Sequence, residues 1–565
     1  MMTLVRLTAY LCTYLAYSSP TFAQCPSPRY AWTRTYRHDR GSLPTYPRVL
    51  TIVEDGVLFG GAFGGTVDFN PNDDGVDLRT SNGDVDGFIT KLRPDGAYAW
   101  TYTVGGTGLA SISGAVTDTF GGIFAAGGYT GTIEFDPGPG VDQRIADLDG
   151  STFLIMMHSD GTYGWTRTFW QHAGISGMVL IGKEDIAIVG VFAGTLDFDP
   201  GPGVDEHSSV VGEIFVAKLG LDGSYGWTRN FGGPGYDAGT GIAADPEGNI
   251  VVTGTFRGAV DFDPGPGLDV HRQVGRFEDI FVTKFYADGA YAWTRTSPAD
   301  YYGDIGQVAV DEAGNAYFSG EFTTTLDFDP TDGVDIRVPT PSPPPLTSPH
   351  DIFVTQLHAD GSYGWTYTVG GDHVDYGRAV ATTADGVFVV GEFSHTVDFD
   401  PGPAIDEHTA AGGNNDPFLV ELARDGSFRW ARTWGDAGPA HPLAVAVDPR
   451  GDIIVPGVFG ALVDGRTDLD PNCSADNLPV TGAQLVTFVT KFVCADAGDF
   501  DLDGDVDLRD MARFQRCFTG PGAPRCSPRC DAFDIASADP ASSGVDNAID
   551  LADFDALSPL LTGPQ

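Results

Sequence analysis

Hydrophobic and polar positions follow a short-strand rhythm along most of the chain, clearest between residues 240 and 296. Small residues at 240–244 predict one strand, Asp245-Pro246-Glu247-Gly248-Asn249 a turn, and the β-branched and aromatic run at 250–256 a second strand. A loop rich in proline and glycine follows, after which residues 279–285 alternate as a third strand. Asp288-Gly289 predicts a tight two-residue turn into a fourth strand at 290–296, because this pair suits positive backbone angles. Each unit therefore reads as four antiparallel strands.

Two markers show that the unit recurs. An aromatic strand ending in tryptophan appears at Trp32, Trp100, Trp165, Trp227, Trp293, Trp365 and Trp430, with a period of about 66 residues. A second marker, Asp-Phe-Asp-Pro or a close variant, begins at Asp68, Glu134, Asp197, Asp261, Asp327, Asp398 and Asp468. A four-stranded sheet cannot bury both faces alone, whereas seven of them packed around an axis can, which predicts an all-β, seven-bladed β-propeller over residues 24–495. The strand at 30–36 has no three strands before it, and the last unit has no tryptophan strand after it. The N-terminal strand is therefore expected to close the last blade; an open superhelix is the alternative.

Gly-Ile-Ala-x-Asp at 241–245, Gly-Asn-Ile-x-Val-Thr-Gly at 248–254 and Asp-Ile-Phe-Val-Thr-Lys at 279–284 resemble the bacterial β-propeller repeat family called SBBP. The resemblance covers roughly residues 30–494 and speaks to fold more than activity.

Charge and processing signals narrow the setting. The chain carries 77 acidic against 32 basic residues, a net charge of −45, which argues against nucleic acid or an anionic membrane as partner. Arg6, the apolar run at 7–17 and Thr21-Phe22-Ala23 form the layout of a signal peptide at residues 1–23, and the run falls short of the roughly 20 residues that span a membrane. The expected protein is secreted or extracellular, with no membrane span. Cleavage after Ala23 leaves Cys25, Cys473, Cys494, Cys517, Cys526 and Cys530, an even set that suggests disulfides, and a Cys25–Cys494 bond would staple the ends of a closed ring.

The best preserved loop reads Asp-Phe-Asp-Pro-Gly-Pro-Gly-x-Asp. Asp197, Asp199 and Asp205 in one copy, and Asp261, Asp263 and Asp269 in the next, offer the oxygen ligands that calcium prefers. The same acids serve equally as turn caps, with glycine and proline needed only for backbone shape, and both readings stand at this point. By alternation the phenylalanine should anchor the loop in the sheet packing.

After Cys494 the pattern changes. Asp499, Asp501, Asp503, Asp505, Asp507 and Asp510 fall at positions 1, 3, 5, 7, 9 and 12 of a twelve-residue calcium loop with Gly504 at position 6. Asp546, Asp550 and Asp553 precede a second apolar stretch. Residues 497–561 thus resemble the dockerin or dockerin-like family of EF-hand type, which implies a small α-helical calcium-binding module at 496–565. The family's role implies a cohesin-like or cell-surface partner.

Among enzyme signatures, Gly-x-Ser-x-Gly, a phosphate-binding glycine loop and His-Glu-x-x-His are all missing from the sequence. His207, His271 and His408 recur two residues after a loop aspartate, where other units carry Arg79, Arg144 and Arg337, so they read as a shared structural feature. His172, near Trp170, is the histidine most out of register. The favoured reading is an exported, non-catalytic, calcium-binding scaffold that meets a protein or glycan; the alternative is a polysaccharide hydrolase or lyase acting through paired acids.

Overall fold

The computed structural model describes residues 28–36, 46–71, 75–298, 305–331, 333–342, 350–411, 415–435, 438–460, 466–467, 478–479 and 485–493. They are built from β-strands and turns throughout. The fourth unit pairs Ala238–Ala244, Ile250–Phe256, Asp279–Phe285 and Tyr291–Ser297 in sequence order, each antiparallel to the next. Six comparable antiparallel units accompany it. The first and second join into one larger sheet where Gly105 and Gly106 pair with Glu134 and Ile133. In the last unit the N-terminal strand Arg29–Tyr36 pairs with Leu485–Val493.

Apolar clusters lie at the seams between neighbouring units rather than within any one of them. Phe256, Phe262 and Phe281 of the fourth unit meet Val189, Ile214, Val216 and Phe231 of the third. Trp32, Tyr36, Ile454 and Val489 of the seventh meet Val57, Phe59 and Phe88 of the first. This second seam brings the last unit onto the first, so the arrangement is a propeller-like ring. Burying one such aromatic ring contributes about 1.5–3 kcal/mol.

Some strand limits and turns differ from expectation. The acidic loop, read as loop alone, is flanked by a short ladder, Ala259–Asp261 against Val270–Arg272. The Asp288-Gly289 turn is not the predicted two-residue type. Only Gly289 has positive φ, at 80°, while its N–H donates to Tyr286 O at 2.8 Å and the register shifts at Lys284/Phe285. Asp288 keeps an ordinary φ and spends its carboxylate on the Ala290 N–H.

Three expectations, the helical module, the disulfide staple and the seven separate blades, are corrected. Among the described residues there is no α-helix, so the all-β assignment carries no added α-helical, EF-hand module. The expected calcium ligands Asp499, Asp501, Asp503, Asp505, Asp507, Asp510, Asp546, Asp550 and Asp553 lie outside the described residues, as does the signal peptide at 1–23. No disulfide occurs among the described residues, none of which is a cysteine, and the proposed staple is withdrawn. The picture of seven separate blades also gives way, since the first two units share a sheet. No helix among the described residues is long and apolar enough to cross a membrane.

Candidate functional site

Consecutive antiparallel strands reverse direction, so their connections alternate between the two ends of a sheet. The acidic loops join second to third strands and therefore share an end with the links that lead from one unit to the next. In the third unit, Asp197 Oδ1 accepts the N–H groups of Asp199 at 3.1 Å and Asp205 at 2.8 Å. Asp199 Oδ1 accepts the Gly201 N–H at 2.7 Å. A Cβ on Gly203 would lie 2.0 Å from Asp199 Oδ2, which explains why glycine stands there. The fourth unit repeats this pattern: Asp261 accepts from Asp263 and Asp269, and Asp263 from Gly265.

The third acid of the loop in each of the first five units reaches the tryptophan strand. Tyr225 donates its hydroxyl to Asp205 and Tyr291 to Asp269, as Tyr98 does to Asp77 and Tyr163 to Asp142. The two sequence markers are thus hydrogen-bond partners. Burial, then the bond to the carboxylate, pushes Tyr98 and Tyr163 up to about 12. His207 and His271 lie 3.2 and 3.3 Å from Asp205 and Asp269, and Arg79 and Arg337 pair with Asp77 and Asp335 in the corresponding place. Between the two acids of the marker, Phe198 and Phe262 are fully buried, anchoring the loop.

The loop tips carry a feature that the sequence reading passed over. The residue before the last aspartate is Val76, Val141, Val204, Leu268, Val334 or Ile405, and all six are between 70% and 82% exposed. The residue type was visible in each copy; its exposure was not, because an aliphatic in a strand-rich repeat is ordinarily assigned to the core.

The same end of the sixth unit holds a cluster absent from the expected sites. Asp372 Oδ1 lies 2.8 Å from His373 Nδ1 and 3.7 Å from His395 Nδ1, and the two imidazole rings stack with centroids 3.3 Å apart. The bond from His373 holds the Asp372 carboxyl below its usual range. Asp375, fully buried, accepts the N–H of Gly371 at 2.7 Å and of Ser394 at 2.9 Å, tying together the two segments that carry the histidines. Burial pushes the Asp375 carboxyl up to about 7. Among the described residues, this is the group of three such side chains whose ligand atoms all lie within 4.8 Å of one another, and it could hold a metal ion. The loop acids Asp197, Asp199 and Asp205, and Asp261, Asp263 and Asp269, are occupied with backbone and tyrosine donors instead. His172 adopts a φ of 59° beside Trp170, whose buried indole donates to Phe198 O at 3.1 Å.

Residues 226–255 match the family described as Beta-propeller repeat, SBBP. That segment is β-propeller-like. It runs from the tryptophan strand of the third unit into the second strand of the fourth, and it supports the repeat while leaving the dockerin-like part of the earlier resemblance without support. The chain is 23% identical over 283 residues to the uncharacterized WD repeat-containing protein L264 of Acanthamoeba polyphaga mimivirus, covering 45% of this chain. It spans only a fifth of that relative's length, 20%. Among solved structures, Sqt1 from Chaetomium thermophilum is similar at 9% identity, with 83% of this chain and 99% of that one covered and a TM-score of 0.36. A protein of unknown function from Bacteroides caccae is similar at 12% identity, with 50% and 89% covered and a TM-score of 0.23.

Proposed function

We propose that the protein is an exported, non-catalytic binding or scaffold protein that meets a protein partner through its acidic loops. The observation that carries this reading is the set of six aliphatic side chains held out at one repeated loop position. Single exposed aliphatics need no explanation, but a repeated set on stiff loops presents apolar contacts with little ordering cost on binding. At least one proline precedes each tip, and Asp197 and Asp199 with their counterparts fix the backbone beneath it. Around these tips lie the carboxylates of a chain with net charge −45. The fitting partner surface is basic, with apolar recesses, and opposite charge would speed its encounter.

The test replaces Val141, Val204, Leu268 and Ile405 with serine in the full chain. Wild-type protein is used to capture partners from the medium and envelope of the source organism, and binding of the purified partner to both proteins is then measured. The expected result is affinity lower by about tenfold or more, with an unchanged melting temperature, since each 1.4 kcal/mol of lost contact is one factor of ten. Equal affinity of the two proteins would remove the loop tips from the interface.

A further inference from the structure

We propose that Asp372, His373 and His395 form a binding site for a divalent transition-metal ion of the zinc class. Two imidazoles and one carboxylate are donors of the kind that zinc and its neighbours take, whereas calcium takes oxygen throughout. Both Nδ1 atoms face the same Asp372 oxygen, yet at 3.7 Å the second is too far to hydrogen-bond with it. The three donors therefore surround a space that one hydrogen bond does not fill. Around a tetrahedral ion with bonds of about 2.0–2.1 Å, ligand atoms stand about 3.4 Å apart. To reach that spacing Asp372 Oδ1 and His373 Nδ1, now 2.8 Å apart, would part slightly, and the wider pairs, all within 4.8 Å, would close.

The repeat itself supplies the second line of argument. His395 has φ 60°, and the matching positions in the first four units are Gly65, Gly131, Gly194 and Gly258, with φ between 65° and 84°. A histidine there occupies a left-handed conformation that glycine adopts without strain. In the fourth unit Pro234 and Gly235 stand where Asp372 and His373 stand in the sixth. His395 thus departs from the first four units, and Asp372 and His373 from the fourth, at points that face one another. The clamp beneath them is shared with the fourth unit: Asp237 accepts the N–H groups of Gly233 and Arg257 at 2.7 and 2.8 Å, as Asp375 does those of Gly371 and Ser394. A frame shared with the fourth unit carries here a different set of side chains. Asp372 and His395 are about half exposed, which leaves a coordination position open to water or to a ligand from a partner.

The experiment uses the full chain freed of metal with a chelator and then titrated with zinc chloride by calorimetry, in the presence of excess calcium. Wild type is compared with His395→Gly, which restores the glycine of the first four units and should fold at least as well, and with His373→Ala. The expected result is one zinc equivalent in wild type that both variants lose. Cobalt loading should give the visible absorption of a tetrahedral site in wild type, and that band should vanish in His395→Gly. Zinc stoichiometry and affinity unchanged in both variants, or displacement of the zinc by calcium, would overturn the proposal.

Discussion

Tyr291 shows how much a single side chain settles in this repeat. Its hydroxyl donates to Asp269, which belongs to a loop more than 20 residues earlier, so it holds the strand and loop markers at a fixed separation. Asp269 remains partly exposed and water can replace the lost donor, so Tyr291→Phe is expected to cost only about 1 kcal/mol, read by urea denaturation. The sixth unit supports that small value, because Phe428 already stands at the matching place. Asp351 gives a pH signature of opposite sign to that of a salt-bridged acid. Burial pushes it up to about 6, against hydrogen bonds from Thr340, so the folded state holds a proton that the unfolded chain releases. Stability therefore falls as pH rises from about 4 to 6, and Asp351→Asn should gain on wild type across that window by up to about 2 kcal/mol. Parallel denaturation curves at pH 4, 5 and 6 check this; a constant difference would contradict it. The loop acids yield a third expectation. Because Asp197, Asp199 and Asp205 are each met by donors of the chain, melting in chelator and in millimolar calcium should coincide, whereas a calcium-held loop would melt earlier in chelator.

Strands and turns were the most legible elements, since alternation and Asp-Gly punctuation act locally. Residues 250–256 and 279–285 form strands at the limits that the pattern predicts. What the pattern could not convey is why the tryptophan, arginine and glycine recur together, because they meet across a seam between units. Trp293 Nε1 donates to Ala359 O at 3.1 Å, Arg295 Nε donates to Gly361 O at 2.8 Å, and Gly361 lies with φ 79° against the indole face. Trp227, Arg229 and Gly289 repeat the contact one unit earlier, and Trp32, Arg34 and Gly96 carry it across the closure. A Cβ on Gly361 would stand 2.7 Å from the Trp293 ring in a backbone conformation that side chains rarely adopt. Gly361→Ala should thus destabilise by about 2 kcal/mol or more, measured by thermal melting. The aspartate-histidine cluster escaped sequence reasoning for a related reason. Asp372-His373 and His395 are more than 20 residues apart, and only the paired loops bring them together. A histidine at a glycine position of the repeat was the available signal.

Closure is the property that belongs to the whole chain. Arg29–Tyr36 completes the last unit by pairing with Leu485–Val493, and Trp32 reaches forward to Pro94 O in the first unit. Removing residues 28–36 should therefore open the seam that Tyr36, Phe59 and Val489 share, lowering the melting temperature and raising hydrogen exchange on both sides of it. The ring in turn sets the acidic loops side by side at one end of the sheets, with the third-to-fourth-strand turns at the other. Site-specific photo-crosslinking from Leu268, at a loop tip, and from Asp288, in the opposite turns, tests whether that loop face is the binding surface. The protein partner is expected to crosslink from Leu268 and not from Asp288; capture from Asp288 alone, or equally from both, would contradict binding through the loop face.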